Sequence, residues 1–221
     1  MAERQQEEWN MERKVNVHFL AELALLTAVV LIMAYTPLGY LKTPWGVEIT
    51  FIVIPVAVGA LMLGPKAGAF LGLIFGLTSF AQCFGASPLG AIFLAENPIG
   101  TFVLLVGARV LVGLIPGLIY LPLKRFSRTR NFGVALCCFL APVLNTVFYI
   151  AGNWMLFQDT WLGVASSMYG YTGAKGPSLL LFMMGLVAIN GIAEAVSGLV
   201  LGAAVCKTLE KTLHRNEVAV Q

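Results

Sequence analysis

Long apolar runs constrain this chain more than any other feature. A helix needs about 20 mostly apolar residues to cross the hydrocarbon of a bilayer. Six segments meet or approach that length: Val17–Tyr35, Ile49–Leu63, Ala67–Phe84, Pro98–Leu121, Phe132–Leu156 and Ser178–Cys206. The second is short. Helix-breaking residues separate them. Thr36-Pro37-Leu38-Gly39 ends the first run, and Gly64-Pro65-Lys66 turns the chain between the second and third. Asn97 is placed to cap the fourth helix, with Pro98 at its first position. Charged residues make up 11% of the 221 residues, against about 25% in soluble domains. A water-exposed surface needs more charge than that, so lipid is the solvent this composition suits. The net charge of +3 is small and dispersed, which gives no footprint for nucleic acid.

The Lys and Arg residues set an expected orientation. Arg4, Arg13, Lys14, Lys66, Lys124, Arg125, Arg128, Arg130, Lys207, Lys211 and Arg215 fall on one side, and Lys42 and Lys175 on the other. The expected fold is therefore an all-α integral membrane protein, a bundle of six transmembrane helices with both termini cytoplasmic. It divides into an amphipathic N-terminal segment (1–16), one membrane domain (17–206) and a cytoplasmic tail (207–221). The first segment lacks a cleavable signal pattern. It reads as a short interfacial helix with Trp9 and Met11 at the headgroups. The outer connections, Pro37–Glu48, Gly85–Glu96 and Phe157–Pro177, are long and hold glycines and aromatics. They read as loops that lid an outward-opening pocket.

Polar side chains inside apolar spans are costly and face a bundle interior or a cavity. Arg109 lies within the fourth run and Glu194 deep in the sixth. They can form a structural ion pair, or Arg109 can receive an anionic group through its two-pronged guanidinium. Asn145, Tyr149 and Asn153 recur at helical spacing on one face, beside Trp154. Asn190 precedes Glu194 by one turn, and Thr78, Ser79 and Gln82 lie near the outer end of the third run. Arg109, Asn145 and Asn190 sit at a common depth of about 11 to 12 residues, or ~17 Å, from the outer face. The candidate ligand-binding set is thus Arg109, Asn145, Tyr149, Asn153, Trp154, Asn190, Gln82 and Thr78. Glycines recur at four-residue steps at Gly64, Gly68, Gly72 and Gly76, with Gly113 and Gly117 in the fourth run and Gly198 and Gly202 in the sixth. Such stripes let helices approach closely, either within the bundle or against a partner. Cys83, Cys137, Cys138 and Cys206 read as small buried fillers.

Catalytic and energising signatures are lacking. There is no G-x-x-x-x-G-K-[ST] loop and no H-E-x-x-H motif. Asp159 is the sole Asp, and the two histidines flank the outermost runs. No enzymatic activity, cofactor or metal is expected, and any uphill transport would draw its energy from elsewhere. A stand-alone secondary transporter would need an inverted repeat or ion-coupling carboxylates, and no repeat is evident.

Several stretches together resemble a known family. They are Ala24 and Ala28 in Leu23-Ala24-Leu25-Leu26-Thr27-Ala28, and Ile54-Pro55 followed by Gly59-Ala60 and Leu63-Gly64-Pro65-Lys66-Ala67-Gly68. Gly76-Leu77-Thr78-Ser79-Phe80 and Arg109-Val110-Leu111-Val112-Gly113 complete the set. The chain, from about residue 17 to 206, resembles the substrate-binding (S) component of an energy-coupling factor (ECF) vitamin transporter, most closely the pantothenate-type branch. That resemblance implies a bacterial cell-membrane protein that binds a vitamin from outside for ATP-driven uptake. Its partners would be a transmembrane coupling subunit, met by Ala24 and Ala28, and two cytoplasmic ATPase subunits. Pantothenate carries a carboxylate for Arg109, an amide and hydroxyls for Asn145, Asn153, Asn190 and Gln82, and methyl groups for Tyr149 and Trp154. Within the family, pyridoxine, riboflavin or a queuosine precursor are the alternatives. A flat ring would rely on Tyr149, Trp154, Phe80 and Tyr169 more than on Arg109.

Overall fold

The structure, a computed structural model, describes residues 2–42 and 48–209. The side chains before Val17, including Trp9 and Met11, lie outside the described residues, as does the tail from 210 onward. The chain is mostly helical. Helix α1 (Ala2–Ala34) leads into a two-stranded antiparallel hairpin, β1 (Tyr40–Lys42) and β2 (Glu48–Thr50). Its register pairs Tyr40 with Thr50 and Leu41 with Ile49. Then follow α2 (Val53–Met62), α3 (Pro65–Gln82), α4 (Pro88–Glu96) and α5 (Pro98–Phe102). A π-helical turn (Val103–Gly107) joins α5 to α6 (Ala108–Leu123). Helices α7 (Ser127–Leu156), α8 (Gln158–Tyr169) and α9 (Pro177–Ser197) complete the bundle, and a second π-helical turn (Gly198–Gly202) extends α9.

Among the described residues, four helical stretches are long and apolar enough to cross a membrane: Val17–Ala34, Pro98–Leu123, Thr129–Leu156 and Asn190–Leu209. Helix α2, with 10 residues, rises ~15 Å, half the ~30 Å of a hydrocarbon core. The distribution of side chains is that of a protein in lipid. Leu25, Ile32, Leu118, Leu181, Ile192 and Val200 are exposed, while Arg109, Asn145, Asn153, Asn190 and Glu194 are buried. A soluble protein shows the opposite arrangement.

Each of the three connections expected to face outward contains regular structure where the sequence reading expects a loop. Glu48–Thr50, within or beside the expected second span, is strand β2. It pairs back on Tyr40–Lys42, so α2 starts only at Val53. The Gly85–Glu96 connection contains α4. Ser87 accepts from the Gly90 amide and Pro88 occupies the first turn. The Phe157–Pro177 connection contains α8, which ends at Gly170 in the left-handed region (φ 65°). Asn97 caps α5 as expected, its Oδ1 accepting from the Gly100 amide at 2.8 Å.

The glycine stripes pack helix on helix within the bundle. A Cβ at Gly68 would meet the carbonyl oxygen of Gly113, and one at Gly72 the carbonyl oxygen of Arg109. At Gly76 it would come within 2.7 Å of the Val106 Cα, and at Gly117 within 2.7 Å of the Pro65 Cα. Gly198 faces Pro142 and the Cys138 carbonyl of α7. Gly64 differs: its φ of 100° turns the chain from α2 into α3, a conformation in which a Cβ is strained. Around this close α3–α6 contact lies a core of Val30, Ile52, Val56, Leu71, Phe75 and Val112. A second cluster, with Phe93, Phe157, Trp161, Leu179 and Met183, joins α4, α8 and α9. The four cysteines are buried free thiols. Cys137, Cys138 and Cys206 pack with Val58 and Tyr120 in a third cluster.

Candidate functional site

A cavity of about 120 Å³ opens among the hairpin, α3, α4, the first π-helical turn, α6, α7 and α9. That is many times the room one water requires. The α3–α6 contact prepares it. Because residue 72 is glycine, the α6 backbone sits directly against α3 at Arg109. The Arg109 guanidinium then lies 5.3 Å from the centroid of the Phe75 ring, a cation–π arrangement. Its Nε and Nη1 have no hydrogen-bond partner, although the residue is only 7% exposed. No ion pair joins Arg109 to Glu194 among the described residues. The Glu194 carboxylate instead takes the Thr50 amide at 2.7 Å through Oε1, and Oε2 lies 3.5 Å from Asn145 Nδ2. Of the two readings the sequence allows for Arg109, the structural ion pair is therefore not formed.

The cavity wall brings together six of the eight candidate residues: Gln82, Arg109, Asn145, Tyr149, Asn153 and Asn190. Their circumstances differ. Asn145 Oδ1 and both amide atoms of Asn190 are buried and unpartnered, an expensive condition in a low-dielectric interior unless a ligand or water meets them. Asn153 is occupied: Nδ2 donates to the Tyr149 carbonyl at 2.8 Å, and Oδ1 accepts the Trp161 indole N–H at 3.0 Å. Gln82 Nε2 donates to the Ala34 carbonyl at 2.7 Å, tying α3 to the end of α1.

Thr78 and Trp154 stand apart from the wall. The Thr78 hydroxyl donates to the Phe75 carbonyl within its own helix. Trp154 packs on the cluster around Phe93 and Trp161. Phe80 and Tyr169 are likewise off the wall. Phe80 stacks edge-on against Phe84 and Phe102, and Tyr169 packs on Phe182.

Sequence reasoning passed over the hairpin's part in the wall. Tyr40, Glu48 and Thr50 line the cavity, and the Tyr40 hydroxyl hydrogen-bonds Ser79 Oγ at 3.0 Å. Burial pushes the Tyr40 phenol up to about 12. The signal existed: two three-residue segments, Tyr40-Leu41-Lys42 and Glu48-Ile49-Thr50, flank a short stretch holding Pro44 and Gly46, which is the pattern of a hairpin with a longer loop. Ala24 and Ala28 are exposed on α1, while Leu23, Leu26 and Val30 of the same helix pack inward.

An apolar exterior around a buried cavity lined with polar side chains marks a membrane protein. Residues 18–205 match the family described as ECF transporter, substrate-specific component, and the chain belongs to that family. Relatives include the Pantothenate transporter PanT of Leuconostoc mesenteroides subsp. mesenteroides. It is 30% identical over 202 residues, covering 89% of this chain and 91% of that protein. The Pantothenic acid transporter PanT of Lactococcus lactis subsp. cremoris is 26% identical over 215 residues, 92% of this chain and all of that protein.

Proposed function

We propose that this chain binds pantothenate at the outer face of a bacterial cell membrane, as the substrate-specific component of an ATP-driven ECF transporter. The observation that carries the reading is Arg109: a buried guanidinium on the cavity wall with two unpartnered N–H donors. Leaving such a charge uncompensated is strongly unfavourable, and a ligand carboxylate compensates it bidentately. The unpartnered amide groups of Asn145 and Asn190 suit the vitamin's amide and hydroxyls. Tyr149 offers an apolar face to its methyl groups. Both relatives named above carry pantothenate in their names. A flat-ring vitamin is disfavoured, because Trp154, Phe80 and Tyr169 do not line the cavity.

The proposal includes the six-span topology of the membrane domain (17–206), with the 1–16 segment and the 207–221 tail in the cytoplasm. Four stretches of spanning character support it, as does the asymmetry of Lys and Arg. Two further helices, α2 and α3, connected through the Gly64 turn, complete the count. The chain has no phosphate-binding loop of its own. Energy would come from two cytoplasmic ATPases through a transmembrane coupling subunit docked on the exposed Ala24/Ala28 face.

The test is calorimetric titration of the purified protein with pantothenate, pyridoxine, riboflavin, thiamine, folate and biotin. Tight one-to-one binding of pantothenate alone is expected, and Arg109→Ala should abolish it while the thermal transition persists. Binding of a different vitamin, or an unaltered affinity in Arg109→Ala, would overturn the carboxylate assignment.

A further inference from the structure

The cavity wall carries a second buried ionisable side chain. Glu194 is 5% exposed and lines the same cavity as Arg109, yet the two do not pair. Buried opposite charges that share a cavity ordinarily neutralise one another. Here they are held apart by other contacts. The backbone amide of Thr50, in β2, fixes Oε1 at 2.7 Å. The guanidinium rests on Phe75 of α3. The Thr50 side chain also hydrogen-bonds the carboxylate, and Oε2 lies 3.5 Å from the Asn145 amide, the outer limit of a hydrogen bond. A carboxylate accepts about four hydrogen bonds, so Oε2 retains accepting capacity. Its neighbours extend the set: Asn145 Oδ1 and Asn190 Oδ1 are unpartnered acceptors, and Asn190 lies one turn before Glu194 on the same face of α9. The wall therefore presents cationic donors on α6, and the Glu194 carboxyl beside the Asn145 and Asn190 amides on α7 and α9.

We infer that Glu194 is a specificity-determining residue. Its Oε2 accepts a hydroxyl hydrogen of the ligand, so that the site selects a hydroxylated monocarboxylate and rejects the same molecule when that hydroxyl is deleted or phosphorylated. This inference rests on the pantothenate reading and deepens it. Deletion leaves a buried carboxylate oxygen without its donor. Phosphorylation brings a second anion against the first. A site built to hydrogen-bond a hydroxyl rejects analogues lacking it far more strongly than an apolar pocket does.

The test is a set of titrations on the purified full chain and its Glu194→Gln variant. The probes are pantothenate, its two hydroxyl-deleted analogues, and the phosphate monoester of its primary hydroxyl. In the wild type, one deletion should weaken binding by about tenfold to hundredfold, and the phosphate ester should weaken it further. In Glu194→Gln, pantothenate should bind more weakly, and both penalties should shrink by at least about tenfold. A purely structural Glu194 would lower affinity for every probe equally and leave the ratios unchanged. Unchanged ratios, or a wild type that binds both deoxy analogues and the phosphate ester as tightly as pantothenate, would overturn the inference and leave the pantothenate reading intact. Failure of the folded wild type to bind pantothenate overturns both. If Glu194→Gln does not fold, the wild-type ratios alone still decide: a lost preference for the hydroxylated monoanion refutes the assignment.

Discussion

Replacing Gly72 with Ala tests whether the glycine contact between α3 and α6 sets the position of Arg109. The added Cβ would collide with the Arg109 carbonyl oxygen, and it would lie 2.9 Å from the Arg109 carbonyl carbon and 3.1 Å from the Val110 Cα. All three atoms are backbone, so no rotamer change relieves the clash; α3 and α6 must separate. Overpacking of this kind costs about 1–3 kcal/mol, and the backbone character of the contact places this site at the upper end. The helix-propensity gain of Ala over Gly returns about 0.5–1 kcal/mol. A net loss of about 1–2 kcal/mol is therefore expected. The matched control is Gly107→Ala. Gly107 is helical and has nothing within 4 Å of the Cβ position, so that change should be neutral or slightly stabilising. Thermal unfolding of the two purified variants reads stability, and pantothenate titration reads the site. Because separation moves Arg109 itself, Gly72→Ala should also lose at least about tenfold in affinity, equivalent to ~1.4 kcal/mol. If Gly72→Ala unfolds and binds like the wild type, the claim that this contact positions Arg109 is refuted. Equal damage from Gly107→Ala would point to the backbone around Arg109 being intolerant of any added methyl nearby.

Asn153→Ala strands the buried Trp161 indole N–H and should cost about 1–3 kcal/mol of stability. In a double-mutant cycle with Trp161→Phe, the two changes should be less than additive; full additivity would mean that the hydrogen bond contributes nothing. Tyr40, in the β1–β2 hairpin, should give a stability step at high pH. Its phenol rises from 10.0 to about 12 in the folded chain through burial. The contribution is complete below the unfolded value and is lost as pH climbs from 10 toward 12. Tyr40→Phe should flatten that decline in thermal scans, and identical pH profiles for wild type and variant would show that Tyr40 is not its source. Pantothenate at about one hundred times its Kd should stabilise the folded chain by about 2.7 kcal/mol. A thermal midpoint indifferent to the vitamin would contradict specific binding to the native state.

What the sequence makes legible follows from how local each signal is. Apolar runs and Pro/Gly punctuation specify the helices, and Asn97-Pro98 marks a start that the Asn97–Gly100 hydrogen bond realises. Ser87-Pro88 follows the same grammar and begins α4, but nine residues bounded by Gly85 and by Asn97-Pro98 pass easily for a loop. Helix α8 gives less warning still. Phe157 provides no side-chain cap, and only Gly170 marks the end. Helical spacing correctly gathers Asn145, Tyr149 and Asn153 on one face. It cannot report that Asn153 is already occupied, because Trp161 lies on another helix. The fate of Glu194 is similarly non-local: its partner is a backbone amide of β2, 144 residues earlier in the chain.

The cavity's position follows from a change of packing along α3. From Gly68 to Gly76 the side chains vanish at each turn, and α6 with its preceding π-helical turn lies directly on the backbone. One turn further, at Ser79, Gln82 and Cys83, the stripe carries side chains and the same face becomes cavity wall. The opposing segment changes at the same level. The π-helical turn at Val103–Gly107 shifts the register immediately before Arg109, and Leu104 and Leu105 on that turn line the cavity. π-Turns within helices recur at functional sites because they re-aim the side chains that follow. The glycine contact fixes the backbone at Arg109, and the π-turn sets the register of the residues just before it. Together they hold a guanidinium at the floor of an opening rather than within a helix seam. An Arg at position 113 would lack that placement, since Gly113 lies against Gly68.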